Sequence, residues 1–108
     1  MKHYQVRLTQ EAEADLLELF QYIARKDSVA SAHHVLDELE ILISSLDGQP
    51  ERGHYPPELH EYGLKEFREV FFKPYRVIYE VIGNQVVVLG CFDGRRELQL
   101  LLERRLLR

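Results

Sequence analysis

No disulfide can form within this chain, because it holds a single cysteine, Cys91. That thiol lies in the apolar run from Val86 to Phe92 with no histidine after it, so it is expected to be a buried structural group and not a nucleophile. Tryptophan is absent, and in a small domain without it Tyr55, Tyr62 and Tyr75 are expected in core or rim packing. With only six glycines and four prolines, and with 45% hydrophobic and 30% charged residues, the composition excludes fibrous and disordered classes. No stretch approaches the roughly 18 apolar residues of a membrane span, and the opening Met1-Lys2-His3-Tyr4-Gln5-Val6-Arg7 lacks the apolar core of a signal peptide. A cytoplasmic protein without membrane contact is expected. His54 and His60 fit no strong metal spacing, and the adjacent His33 and His34 point to different helix faces, so solvated histidines, no metal and no cofactor are expected.

The 108 residues suit one compact domain, since two cores would leave each half too small to fold alone. Such a domain has a modest stability margin to which a partner adds usefully. The net charge of −4 hides an asymmetry: residues 1–66 carry six Lys/Arg against thirteen Asp/Glu, or −7, whereas residues 67–108 carry eight against five, or +3. Seven of those eight cations are arginine, the side chain suited to phosphate or carboxylate recognition.

Tyr4, Val6 and Leu8 alternate with polar residues as in a half-buried strand. Thr9 is placed to cap a helix from Gln10 to Arg25, with Glu11, Glu13 and Asp15 early, where the helix dipole favours anions, and Leu16, Leu19, Phe20 and Ile23 at helical spacing. Asp27 or Ser28 can cap a second helix, with an apolar stripe from Val35 to Leu46, that ends at Gly48; the short connection implies an antiparallel hairpin. Asp47 to Gly63, punctuated by glycine and proline, reads as an irregular surface loop. Three strands follow, Phe67 to Phe72, Tyr75 to Ile82 and Gln85 to Phe92, with Gly83-Asn84 a two-residue hairpin turn. The last two strands are apolar on both faces, so the sheet must be covered on both sides. The hairpin covers one side and the leucine-rich Glu97–Leu107 segment, or another chain, the other. So many leucines in eleven residues exceed what a small sheet can bury, which hints at a partner surface.

This order resembles the RelE/ParE toxin family. The run Pro74-Tyr75-Arg76-Val77-Ile78-Tyr79-Glu80-Val81 is similar to the family's "YRVxYxV" strand, and Val86-Val87-Val88-Leu89 and Asp93-Gly94-Arg95-Arg96-Glu97 follow at the expected distance. Weaker similarities are Leu8-Thr9-Gln10-Glu11-Ala12, Pro57-Glu58-Leu59 and the segment Lys65-Glu66-Phe67-Arg68. The resemblance implies an α+β, single-domain fold over residues 1–108, β-α-α-β-β-β with a short C-terminal helix and an antiparallel-dominated sheet on the helical hairpin. It also implies a type II toxin with a ParD-like antitoxin, as a homo-oligomer or a toxin–antitoxin hetero-oligomer.

Two mechanisms occur in that family: the RelE branch cleaves ribosome-bound mRNA and the ParE branch blocks DNA gyrase. Cleavage needs proton transfer and cations on the phosphorane. Arg76 and Arg96 match cations of the RelE branch and Arg68 stands in for another, but the last helix carries Leu101 and Leu102 near where its tyrosine would be, and no His or Tyr follows Tyr79. Glu69 on the second strand would repel a phosphate. These departures favour the ParE branch, a non-catalytic gyrase inhibitor, with the nuclease or a non-toxic interaction module as alternatives. The expected target-binding residues are Arg68, Arg76, Arg95, Arg96, Arg104 and Arg105. Pairing back from the Gly83-Asn84 turn sets Arg76 opposite Cys91, near Arg95 and Arg96, where three guanidinium groups need an anion between them. Arg76 has an alternative role, buried beside a carboxylate and holding the last helix.

Overall fold

The computed structural model describes residues 3–107. Strand β1 spans Gln5–Leu8, helix α1 Gln10–Lys26 and helix α2 Val29–Ser44. The Thr9 hydroxyl accepts the Ala12 N–H at 3.1 Å, and the Ser28 hydroxyl accepts the Ser31 N–H at 2.9 Å. Each cap satisfies one of the donors that a helix start leaves open. Arg25 and Lys26 in the last turn of α1 complement the negative end of its dipole. A 3-10 turn at Ser45–Asp47 finishes α2 ahead of Gly48, where the sequence places its end.

Strands β2 (Phe67–Phe72), β3 (Tyr75–Ile82) and β4 (Gln85–Asp93) form an antiparallel meander, and β1 lies parallel to β4, giving the order β1-β4-β3-β2. Gly83, at φ +60°, opens the β3–β4 turn in the left-handed region that suits glycine. From the turn, Ile82 faces Gln85 and Tyr79 faces Val88 as expected. The register then shifts between Ile78 and Tyr79, so that Ile78 faces Gly90 and Arg76 faces Phe92, not Cys91. Leu89 is the extra residue of this bulge. Gly90 permits it: a β-carbon there would collide with the Phe92 ring and stand 3.0 Å from the Asp15 carboxylate, which accepts the Cys91 N–H at 3.1 Å.

The side chains on the two sheet faces form separate cores. Beneath the helical hairpin Ala12, Ile23, Ala32, Leu39 and Ile43 pack on Val70, Val77, Tyr79, Val86, Val88 and Cys91. Burial pushes the Cys91 thiol up to about 12, with the Asp15 charge adding to the effect, as befits an inert core group. On the opposite face Leu59, Phe67, Ile78, Phe92, Leu98 and Leu102 make a smaller core, closed by helix α3 (Gln99–Leu106). Much of the leucine surplus is therefore absorbed within the chain. Leu98 and Leu102 are buried, Leu101, Leu106 and Leu107 pack around them, and Leu100 is left 59% exposed.

The Asp47–Gly63 segment also departs from the expected surface loop. Pro57–Tyr62 winds into a 3-10 helix whose Leu59 is buried in the second core. Upstream, the Tyr79 hydroxyl donates to the Pro50 carbonyl at 2.6 Å and accepts the Gly53 N–H at 3.0 Å. His54 and Glu69 exchange backbone hydrogen bonds of 3.0 and 2.7 Å, so the loop covers part of the outer edge of β2. A buried tyrosine hydroxyl must find partners, and here it finds them in the loop backbone. That requirement is invisible in the loop's own composition.

Candidate target-binding surface

The six arginines singled out in the sequence fall into three environments. Arg76, only 8% exposed, projects from β3 on the α3 side of the sheet. Its Nε donates to Glu69 at 2.6 Å, and its two terminal nitrogens donate to the two Glu58 oxygens at 2.7 Å each. The fork between guanidinium and carboxylate is bidentate, the strong form of this pair. Arg76 accordingly holds its proton even more firmly than usual, chiefly through the Glu58 hydrogen bonds, and Glu58 is held below the usual carboxylate range, chiefly by Arg76. Glu69 is thus a buried partner of Arg76, not a charge facing a ligand.

Arg105 is likewise turned inward. It donates to both Asp15 oxygens, at 3.0 and 3.3 Å, and to the Leu89 carbonyl at 3.1 Å, with its guanidinium 5.1 Å from the centre of the Phe92 ring. These contacts tie α3 to α1 across the end of β4. The expectation of target-facing Arg76 and Arg105 does not meet this geometry, because both guanidinium groups are spent on internal carboxylates. Nor do Arg76, Arg95 and Arg96 share an anion, since Arg76 takes its own pair. It is Arg105, more than Arg76, that grips the last helix directly.

Arg68 lies on edge strand β2. It donates to the Glu51 and Gly53 carbonyls, each at 3.0 Å, and to the Tyr55 hydroxyl at 3.2 Å, and stands 4.8 Å from the Tyr55 ring centre. It braces the loop, two strands away from β4, and so does not join the remaining cations.

Arg95, Arg96 and Arg104 are exposed. Arg95 folds back on Asp93, with bonds of 3.0 and 2.8 Å, yet its side chain stays 68% exposed. Asp93 is held below the usual carboxylate range, chiefly by that arginine. Arg96 and Arg104 have no side-chain hydrogen bond or salt bridge among the described residues. Both line a shallow groove with Glu97, Leu100 and Leu101. Arg96 also borders a larger groove of about 790 Å3 between α1 and α3, and Arg25 of α1 lines that groove with it. Sequence reasoning missed Arg25, which reads only as a helix-end cation; it shares that groove with Arg96, and with Glu11, Glu18 and Asp93, because α1 packs over β4.

A second missed residue is Tyr62. Its hydroxyl donates to Glu103 of α3 at 2.9 Å, so the loop delivers to the last helix a phenol that the helix itself lacks. That bond, with Glu103 as acceptor, raises the Tyr62 pKa. Gln99 donates to Glu103 at 2.6 Å and to the Glu58 carbonyl at 2.9 Å, and Glu103 is held low by Gln99 and Tyr62 in that order. The zone around Arg76 therefore sets one guanidinium against the carboxylates of Glu58, Glu69 and Glu103. A phosphodiester entering it would meet net negative charge. Among the described residues no cluster of His, Cys, Asp and Glu could hold a metal ion, and no helix is long and apolar enough to cross a membrane.

Comparison with known proteins agrees with this architecture. The family model for the ParE toxin of the type II toxin-antitoxin system parDE matches residues 6–98. Toxin ParE3 of Caulobacter vibrioides is 30% identical over 90 residues, which cover 83% of this chain and 86% of that protein. Among solved structures, a chain of the chromosomal ParDE toxin–antitoxin system from P. aeruginosa superposes with a TM-score of 0.70 at 15% identity, covering 84% of this chain and 96% of the other. A chain of the RelBE2 toxin–antitoxin complex from Mycobacterium tuberculosis does so with a TM-score of 0.62 at 21% identity, covering 86% and 93%. At those identities the two structures speak for the fold.

Proposed function

The chain belongs to the ParE toxin family of type II toxin–antitoxin systems, and on that footing we propose that it acts in the cytoplasm by binding DNA gyrase, without cleaving RNA, until a ParD-like antitoxin neutralises it in a hetero-oligomeric complex. The observation that carries this reading is the state of Arg76, the arginine matching a cation of the nuclease branch. It is buried and saturated by Glu58 and Glu69, so it is not free to stabilise a phosphorane. Tyr62 sits beside α3, but as a donor to a carboxylate in an acidic zone. General acid–base catalysis contributes about 10² to 10⁴ in rate, and a proton donor without free cations beside it forgoes the electrostatic part.

The contacts to gyrase are assigned to Arg95, Arg96 and Arg104, exposed on the turn after β4 and on α3, with Arg25 at the border and Arg68 apart from them. Purified protein should inhibit gyrase supercoiling and leave ribosome-bound mRNA intact. Cleavage of that mRNA with supercoiling untouched would reject this reading in favour of the nuclease. The antitoxin arm is checked by co-purification and by a rise in melting temperature, which any ligand selective for the folded state must produce.

A further inference from the structure

Arg76 touches the turn that displays Arg95 and Arg96 and reaches the helix that displays Arg104 through one intermediate segment. Its terminal nitrogens hold the Glu58 carboxylate, and Glu58 lies in the 3-10 helix Pro57–Tyr62. The backbone carbonyl of Glu58 in turn accepts from Gln99 in the first turn of α3, and Gln99 and Tyr62 both hold Glu103, one turn further along. A chain of short hydrogen bonds thus runs from the start of β3 to the residue that precedes Arg104. The aliphatic stem of Arg76 serves the turn. A β-carbon at Gly94 would stand 3.0 and 3.1 Å from the Arg76 side-chain carbons and 2.8 Å from the Pro74 carbonyl. The Gly94 backbone therefore lies directly on that stem, fixed by its N–H to the Pro74 carbonyl at 2.8 Å, and Arg95 and Arg96 follow it.

We propose that Arg76 is the positioning residue of the basic surface: its guanidinium sets the 3-10 helix and through it α3, while its stem carries the turn that presents Arg95 and Arg96. This rests on reading that surface as the one that meets the target. Lysine cannot replace arginine here, because a point ammonium cannot serve Glu69 and both Glu58 oxygens in one plane. The residue acts at a distance from any ligand, since its own charge is already matched within the protein. Glycine at 94 is part of the same device, because any side chain there would lift the turn off the stem.

The test compares the full chain with its Arg76→Lys and Gln99→Met variants by amide hydrogen exchange and by the inducer dose needed to arrest growth. Gln99→Met cuts the relay between the 3-10 helix and α3 without touching a buried charge, so it keeps the test readable if Arg76→Lys folds poorly. Exchange over residues 97–107 is expected to rise about tenfold in both variants while α1 and α2 change less than about twofold, a local opening and not a global one. The arresting dose should rise at least about twofold in both variants, because the apparent affinity for the target falls by the factor by which opening lowers the binding-competent fraction. A residue that only stabilised the fold would raise exchange throughout. Wild-type exchange in α3 of the variants, or a loosened α3 with an unchanged arresting dose, overturns the proposal. The surface reading fails separately, if Arg95→Ala with Arg96→Ala arrests growth as wild type does.

Discussion

The two faces of the sheet are held by different physics. Under the α1–α2 hairpin, contact is almost wholly apolar, from Leu39 and Ile43 against Val77, Tyr79 and Val88. On the α3 side a smaller core of six buried residues is bordered by the Arg76–Glu58–Glu69 triad, the Arg105–Asp15 pair and the Gln99–Glu103–Tyr62 relay. Apolar burial is non-directional and tolerates compensating change in shape. Ion pairs at 2.6–2.7 Å are directional, sensitive to pH, and costly when one partner is removed. The face with the exposed cations is thus the one held by geometry. A surface that must present charges in fixed places gains more from such anchors than from a larger greasy core.

The contrast can be broken at its strongest point first. Arg76→Ala leaves the buried Glu69 and the half-buried Glu58 carboxylates without their cation and should cost about 3–5 kcal/mol, read as a lower denaturation midpoint in urea. A loss below about 1 kcal/mol would mean that water already screens the triad. Leu39→Ala, at a fully buried position of the other face, should cost about 2–5 kcal/mol through lost burial and a cavity. Its effect should reach every amide, because α2 belongs to the global unfolding unit; exchange confined to the hairpin would show that the two faces unfold separately.

Acid should separate the faces without mutation. Glu58 has a folded-state pKa below its ordinary value of 4.5, chiefly through Arg76. Its contribution is therefore complete above the unfolded pKa and is lost as pH falls from there through the lower folded value. Glu80 works the other way, since burial, with Glu66 adding to it, raises its pKa. Titration downward from pH 5 should loosen α3 and the Pro57–Tyr62 segment before the hairpin, as monitored by amide signals of residues 97–107. Simultaneous loss of both faces would contradict the division.

Two smaller effects sharpen the picture. Ser28→Ala removes the cap of α2 and should cost about 1 kcal/mol, with no change in toxicity. Arg95→Ala and Arg96→Ala, at exposed positions, should each move stability by no more than about 0.5 kcal/mol while together relieving growth arrest. A matching loss of stability would make them structural residues.

Much of this architecture follows from local sequence. Alternation of side chains, a serine or threonine ahead of each hairpin helix and the Gly83-Asn84 turn depend on neighbours a few positions away, so elements and strand pairing near that turn could be read directly. The covering of both sheet faces also followed, because apolar strands on both sides must be buried. Other features depended on residues far apart in the chain. Gly90 and the Asp15 carboxylate, 75 positions apart, together accommodate a bulge that no periodicity announces, and the bulge moves Arg76 from Cys91 to Phe92. Glu58 reads as a loop residue until the Pro57–Tyr62 helix brings it to Arg76, and Tyr62 reaches α3 the same way. Which charges the C-terminal half carries is legible in the chain, since composition is indifferent to folding. Which of them are free is a matter of packing, because an arginine is spent or available according to whether a carboxylate lies within hydrogen-bond reach, and for Arg76 and Arg105 those carboxylates come from other elements.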